Sequence, residues 1–95
     1  MSNYDRGRET EYKICDALRE AGYIAQRSAG SHSPWDVVAL GPTGVRLIQA
    51  KRTKKDTFTY EQELDQLRQL PDIPNVSLEL WVWRDHKGFV KREVI

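Results

Sequence analysis

Three residues on two short apolar segments are placed to do chemistry together. Asp36 stands in Ser33-Pro34-Trp35-Asp36-Val37-Val38-Ala39-Leu40, and Gln49 and Lys51 stand two residues apart in Leu47-Ile48-Gln49-Ala50-Lys51. Side chains alternate along a strand, so Gln49 and Lys51 project to one side, and pairing of the two segments brings Asp36 beside them. A carboxylate, an amide oxygen and an ammonium meeting at one spot can hold a hard cation and stabilise a reacting phosphate. Asp36 is the natural direct ligand of such a cation, with the Gln49 amide oxygen and the Ala50 backbone carbonyl as further oxygen donors. Lys51 is the cationic partner, suited to stabilise developing charge or to position an attacking water.

Those residues need a sheet to hold them, and the rest of the chain supplies one. Glu11, Ile14, Cys15 and Leu18 recur at helical spacing and predict an amphipathic helix over 8–21, ended by Gly22. Residues 23–27 read as a short strand, the small-residue stretch 28–34 as a loop, 36–40 as a second strand, 41–44 as a turn and 45–52 as a third strand. Thr59-Tyr60-Glu61-Gln62 has the form of a capping box and predicts a second helix, with Tyr60, Leu64 and Leu67 as its apolar face and Pro71 to Asn75 as its stop. Residues 78–84 alternate, with Leu78, Leu80 and Val82 on one face and Glu79, Trp81 and Trp83 on the other. Asp85-His86-Lys87-Gly88 is a hairpin turn into a last strand over 89–94. The order α-β-β-β-α-β-β predicts an α/β fold around one mixed five-stranded sheet flanked by helices.

Ninety-five residues suffice for one core and leave no room for a separate regulatory module, so a single domain over 1–95 is expected. A hydrophobic fraction of 39% with 31% charged residues is ordinary for a globular chain. No apolar run approaches the ~20 residues needed to cross a bilayer, and the amino terminus lacks a signal-peptide core, so a cytoplasmic location and no membrane partner are expected. The lone Cys15 has no internal disulfide partner and falls on the apolar side of the first helix, where it reads as packing. A net charge of +1 is too small to argue for nucleic acid by itself, but its distribution is informative. Arg46, Lys51, Arg52, Lys54 and Lys55 gather around the Gln49/Lys51 strand, against the plainer reading of a solvated turn. Cys/His metal-ligand spacing is absent, as is a nucleotide-type Gly-rich loop, which excludes a zinc centre and a P-loop.

The ordered set Arg6-Gly7, Glu11, Leu18, Gly22-Tyr23, Arg27-Ser28-Ala29-Gly30-Ser31, Asp36 and Gln49-Ala50-Lys51-Arg52 resembles the PD-(D/E)XK nuclease superfamily, and within it the archaeal-type Holliday junction resolvases. The resemblance runs from about residue 6 to 53, a little over half the chain. It implies a restriction-endonuclease-like fold and a metal-dependent endonuclease that hydrolyses DNA phosphodiesters with Mg²⁺, or Mn²⁺ in its place. The implied partner is branched or four-way-junction DNA, addressed by a homodimer. It makes Asp36 the central metal-binding acid, Lys51 the catalytic lysine and Glu11 the helix-borne acid. Arg6 and Arg27 become phosphate contacts and Ser31 a loop hydroxyl near the scissile bond, with Arg52, Lys54 and Lys55 as further DNA-binding residues. Two departures stand out. Gln49 occupies the place of the usual second acid, as in branches resembling Mrr-type enzymes, which removes one negative charge and leaves Glu11 as the candidate for the missing carboxylate. The usual Pro is displaced by one, as Pro34-Trp35-Asp36.

Plainer readings stand beside several of these. Glu11 on the Ile14/Leu18 stripe faces the sheet, whereas a Glu in a first helical turn is also favoured by the helix dipole. Ser31 also suits a turn, and Trp35 either packs or stacks on a base. His32 and His86 read as loop residues. Trp81 and Trp83 share a strand face and either pack under a helix or form an exposed isologous interface. The alternatives to a junction resolvase are a related nuclease cutting duplex DNA and a DNA-binding module that cleaves nothing. The small size suits a phage or mobile-element source.

Overall fold

The apolar periodicities resolve into two helices on opposite faces of one sheet. The fold was obtained as a computed structural model, which describes residues 3–28 and 33–95 and, for residues 3–6, the backbone alone. The element order is α1 (Asn3–Glu20), β1 (Ile24–Arg27), β2 (Val37–Gly41), β3 (Gly44–Thr53), α2 (Glu61–Arg68), β4 (Val76–Arg84) and β5 (Gly88–Val94). This is the expected α-β-β-β-α-β-β order. Helix α1 begins five residues before the expected start at residue 8, with its apolar stripe in the later turns.

The strands lie in the order β1-β2-β3-β4-β5. The first three form an antiparallel meander, β3 and β4 run parallel through the α2 crossover, and β5 returns antiparallel. One residue allows the β2–β3 turn to close tightly. Gly44 has φ +152°, and a Cβ there would strike the Asn75 carbonyl oxygen, which accepts the Val45 N–H at 2.7 Å.

Alternation along the strands divides the apolar residues between two clusters. On the α1 face, Ile14, Cys15 and Leu18 pack on Ala25, Val37, Ala39, Ile48 and Trp81. On the α2 face, Leu64 and Leu67 pack on Leu80 and Val82, with Phe58, Tyr60, Leu70 and Leu78 around them. Each buried aliphatic side chain contributes about 1.5–3 kcal/mol. Cys15 is fully buried, and burial pushes its thiol above the ordinary range, which fits a packing role.

Three expectations are corrected. Tyr60, not Thr59, is the N-cap of α2, and no side chain caps it. Tyr60 packs with Phe58 against the α2 cluster at 5.5 Å between ring centroids, which shifts the helix start by one residue, and Glu61 and Glu63 complement the dipole instead. Trp81 and Trp83 do not form an exposed interface. Trp81 is 2% exposed and meets Phe89 edge-on at 5.3 Å, and Trp83 meets the same ring at 5.0 Å under Lys13. Their strand face is the one that α1 covers. Nor does Arg46 join the basic cluster near Lys51. It lies toward the other end of β3, where its guanidinium makes two 2.7 Å hydrogen bonds to the carboxylate of Glu79.

Candidate active site

Asp36 immediately precedes β2, and the ladder that pairs Val37 with Ile48 brings it to the strand that carries Gln49 and Lys51. Two hydrogen bonds fix it there. Its backbone N–H donates to the Ile48 carbonyl at 2.8 Å, and its Oδ2 accepts the Ala50 N–H at 2.8 Å. The carboxylate is thereby held against the backbone between the two polar side chains expected beside it.

The electrostatics of Asp36 are those of an under-compensated acid. Burial raises its pKa above the ordinary carboxylate value. The Ala50 N–H bond works against that rise, the charge of Glu11 adds to it, and Lys51 and Arg27 oppose it. Glu11, Lys51 and Arg27 thus all lie near enough for their charges to act on Asp36. Glu11, on α1, accepts a hydrogen bond from Arg27 Nε at 2.9 Å, and the Arg27 guanidinium also covers the Tyr12 ring at 4.9 Å. Arg27 is therefore tied to Glu11 and Tyr12, and burial together with that ion pair leaves it part of the site's wall.

Gln49 and Lys51 share the α2 side of β3. Gln49 borders a cleft of about 480 Å³ with Ser33, Pro34, Gln66, Gln69 and Leu70, and its Oε1 is buried without a hydrogen-bond donor. Lys51 Nζ lies 3.5 Å from Glu63 Oε1 of α2. Lys51 also borders a second cleft of about 370 Å³ whose wall includes Gly7, Arg52, Lys54 and Asp85. Arg52 projects to the other face, with Nε 2.6 Å from Asp85 Oδ1 and its guanidinium 3.6 Å from Glu9. Lys54 and Lys55 are exposed in the loop after β3.

A buried amide oxygen with no donor is an unmet acceptor, and on the strand whose backbone holds the half-buried Asp36 carboxylate it suits a small oxygen-loving cation. The donor types fit a hard divalent cation on this ground, which the Asp36 carboxylate, the Gln49 amide oxygen and the Ala50 carbonyl would hold. Among the described residues no group of three or more His, Cys, Asp or Glu side chains could hold a metal ion.

Arg6 has no described side chain, and Ser31 and His32 lie outside the described residues. Trp35 is half-buried, and His86 is an exposed turn residue at φ +67°. Glu63 and the α2 glutamines were missed in the sequence. The 66/69 glutamine spacing was visible, but only the docking of α2 decides that they face Gln49.

A family model described as archaeal Holliday junction resolvase (hjc) matches residues 2–73, the stretch from α1 through α2 that contains every element of the site. Among solved structures, the fold is similar to that of Archaeoglobus fulgidus Hjc, a Holliday junction resolvase from an archaeal hyperthermophile. The TM-score is 0.67 at 22% identity, over 88% of this chain and 69% of that one. No curated protein matches the chain by sequence.

Proposed function

The chain belongs to the archaeal Holliday junction resolvase family, and on that premise we propose that Asp36, Gln49, Lys51 and Glu11 form a Mg²⁺-dependent site that nicks four-way DNA junctions. The family places it among nucleases that hydrolyse branched DNA. The observation that carries the site assignment is the 2.8 Å bond from the Ala50 N–H to Asp36, which ties the acid to the backbone link between Gln49 and Lys51.

Asp36, the Gln49 amide oxygen and the Ala50 carbonyl are the groups that would hold the cation. When bound, Mg²⁺ supplies Lewis-acid polarisation of a phosphate oxygen and a more acidic water. The protein's own residues do the rest. Asp36 is pre-oriented by its backbone bond, so no reorganisation is needed when substrate arrives. The Lys51 ammonium faces the same spot and stabilises charge that develops on the phosphate oxygens during in-line attack. Glu11 and Arg27 hold each other at the α1 edge of the site. Lys54 and Lys55, exposed beside the Lys51 cleft, meet backbone phosphates, and Arg6, Ser31 and Arg52 complete the proposed DNA contacts.

A single site makes one cut, and resolving a junction takes two. We therefore propose that the protein acts as a homodimer, its isologous partner presenting the second site to the opposing strand. With Trp81 buried and Trp83 partly covered on the α1 face, that interface is expected to use other surface.

The test is cleavage of an end-labelled four-way junction in Mg²⁺, in Mn²⁺ and in EDTA, with duplex, flap and single-stranded controls. Paired nicks in opposing arms, dependent on the cation, are expected. Cutting of plain duplex at the same rate would show a different nuclease of the same fold. Binding of the junction without cleavage in either metal would show a binding module.

A further inference from the structure

We infer that Glu63 is the positioning residue for Lys51: its carboxylate, delivered from α2, supplies beside the catalytic ammonium the negative charge that Gln49 does not bring. The inference rests on the nuclease reading of the site and names a residue outside it. Gln49 stands two residues before Lys51 on the same strand face and is neutral. The acid on α1, Glu11, is taken up by Arg27 at 2.9 Å. Glu63 is the carboxylate that meets Lys51, at 3.5 Å, and both side chains are only partly exposed, at 22% for Glu63 and 33% for Lys51.

The placement is not that of two solvated chains touching on a surface. Leu64 and Leu67 fix α2 on Leu80 and Val82, and Gln66 and Gln69 line the cleft around Gln49. Glu63 and Gln66 are three apart and so share a helix face, which places one wall of the site on α2. A lysine on a flexible four-carbon stem loses rotamer freedom when it acts at a fixed point, and a fixed carboxylate lessens that loss before substrate binds.

The test compares the wild type with Glu63→Gln, which keeps the shape and removes the charge, and with the double variant Gln49→Glu/Glu63→Gln, which moves the carboxylate from helix to strand. Single-turnover junction cleavage at saturating Mg²⁺ is read together with junction affinity in Ca²⁺, Mn²⁺ affinity by calorimetry, and thermal melting. The E63Q rate is expected to fall about 10- to 100-fold, the usual effect of losing a supporting partner. Junction affinity, Mn²⁺ affinity and melting should stay within about twofold or a degree or two of wild type, and the double variant should recover most of the rate. E63Q cutting at the wild-type rate would overturn the proposal, as would a double variant as slow as E63Q. A parallel loss of Mn²⁺ affinity would overturn it too, by making Glu63 a ligand. If the wild type itself cuts no junction, the resolvase reading has failed and this proposal falls with it; if the wild type cuts and E63Q is unimpaired, this proposal fails alone.

Discussion

Replacing Asp36 with Asn should make the metal-free protein more stable while removing its cleavage, and adding Mg²⁺ should reverse the order of stability. In the folded state the carboxylate is half-buried and feels Glu11, and together these outweigh the Ala50 N–H bond and the attraction of Lys51 and Arg27, so its pKa lies above the ordinary 3.8. For a pKa raised on folding, the associated stability is fully present below the unfolded value and is lost as pH rises through the folded one. Above the folded value the wild type carries the charge and has lost that stability. An Asn side-chain oxygen can still accept from Ala50 and carries no charge to bury. Relief of an active-site conflict of this kind commonly stabilises by about 0.5–2 kcal/mol. For a domain of this size each kcal/mol raises the melting temperature by about 4–8 °C.

The cation acts in the opposite direction. Mg²⁺ at about 100 times its dissociation constant stabilises a protein by about 2.7 kcal/mol, through binding to the folded state alone. That gain should go to the wild type and be largely lost in D36N. Scanning calorimetry at pH 7 in EDTA and again in excess Mg²⁺ should therefore show D36N melting above the wild type in the first buffer and below it in the second. Repeating the EDTA scans near pH 3.5 should shrink the first difference, because the wild-type acid is then largely protonated. If D36N melts below the wild type in EDTA at pH 7, the burial argument is wrong. If Mg²⁺ stabilises both proteins equally, Asp36 is not a ligand.

Gln49→Glu restores a charge to the strand and should tighten Mn²⁺ binding at least about tenfold, which is roughly 1.4 kcal/mol, measured by calorimetry; an unchanged affinity would remove Gln49 from the coordination sphere. Arg46→Met leaves Glu79, 2% exposed, with Ser77 and Trp81 as its donors among the described residues. Breaking such a pair costs about 3–5 kcal/mol in urea titrations, with the lower end expected because Arg46 keeps some contact with water. Burial alone would raise the Glu79 pKa, but its bonds to Arg46, Ser77 and Trp81 bring it below 4.5. The stabilisation from its charge is therefore present above 4.5 and lost as pH falls through the lower folded value, so the gap between R46M and wild type should narrow in acid. Lys54→Ala/Lys55→Ala should weaken junction binding uniformly across sequences and lower the salt slope by about 1 for each phosphate contact removed. An unchanged slope would place the DNA elsewhere.

What could be read without coordinates was set by local periodicity. Asp36, Gln49 and Lys51 were legible because a two-residue alternation and one short turn fix their relation. The same rule grouped Glu79 with Trp81 and Trp83, but it could not say whether their face meets water. That depended on α1 lying over it, and on Arg46 of the neighbouring strand pairing with Glu79, a contact between residues 33 apart in sequence. The Thr59 capping box failed for a related reason. Its local hydrogen bonds are worth about 1 kcal/mol, less than seating Tyr60 and Phe58 on the α2 cluster. Glu63 was hidden because the phase of a helix shows which residues are apolar but not what its polar flank touches.

These hidden contacts share one origin, the separation of work between the two faces of the sheet. The α1 face contains the larger core, where Arg46 matches the buried charge of Glu79, and it meets the site only at its edge, through Glu11 and Arg27. The α2 face has a smaller apolar cluster, anchored by Leu64 and Leu67, and gives the rest of its area to Gln49, Lys51 and the polar flank of the helix. An eight-residue helix is too short to be stable on its own. It exists because those two leucines hold it, so the same packing that forms α2 also sets where Glu63 stands relative to Lys51. Asp36 sits where the meander meets this arrangement, bonded to the strand backbone and not to either helix. The acid is therefore fixed to the backbone of the central strand β3, while the position of the lysine is shared with the more lightly anchored helix. Cation binding and phosphate stabilisation should accordingly be separable by mutation.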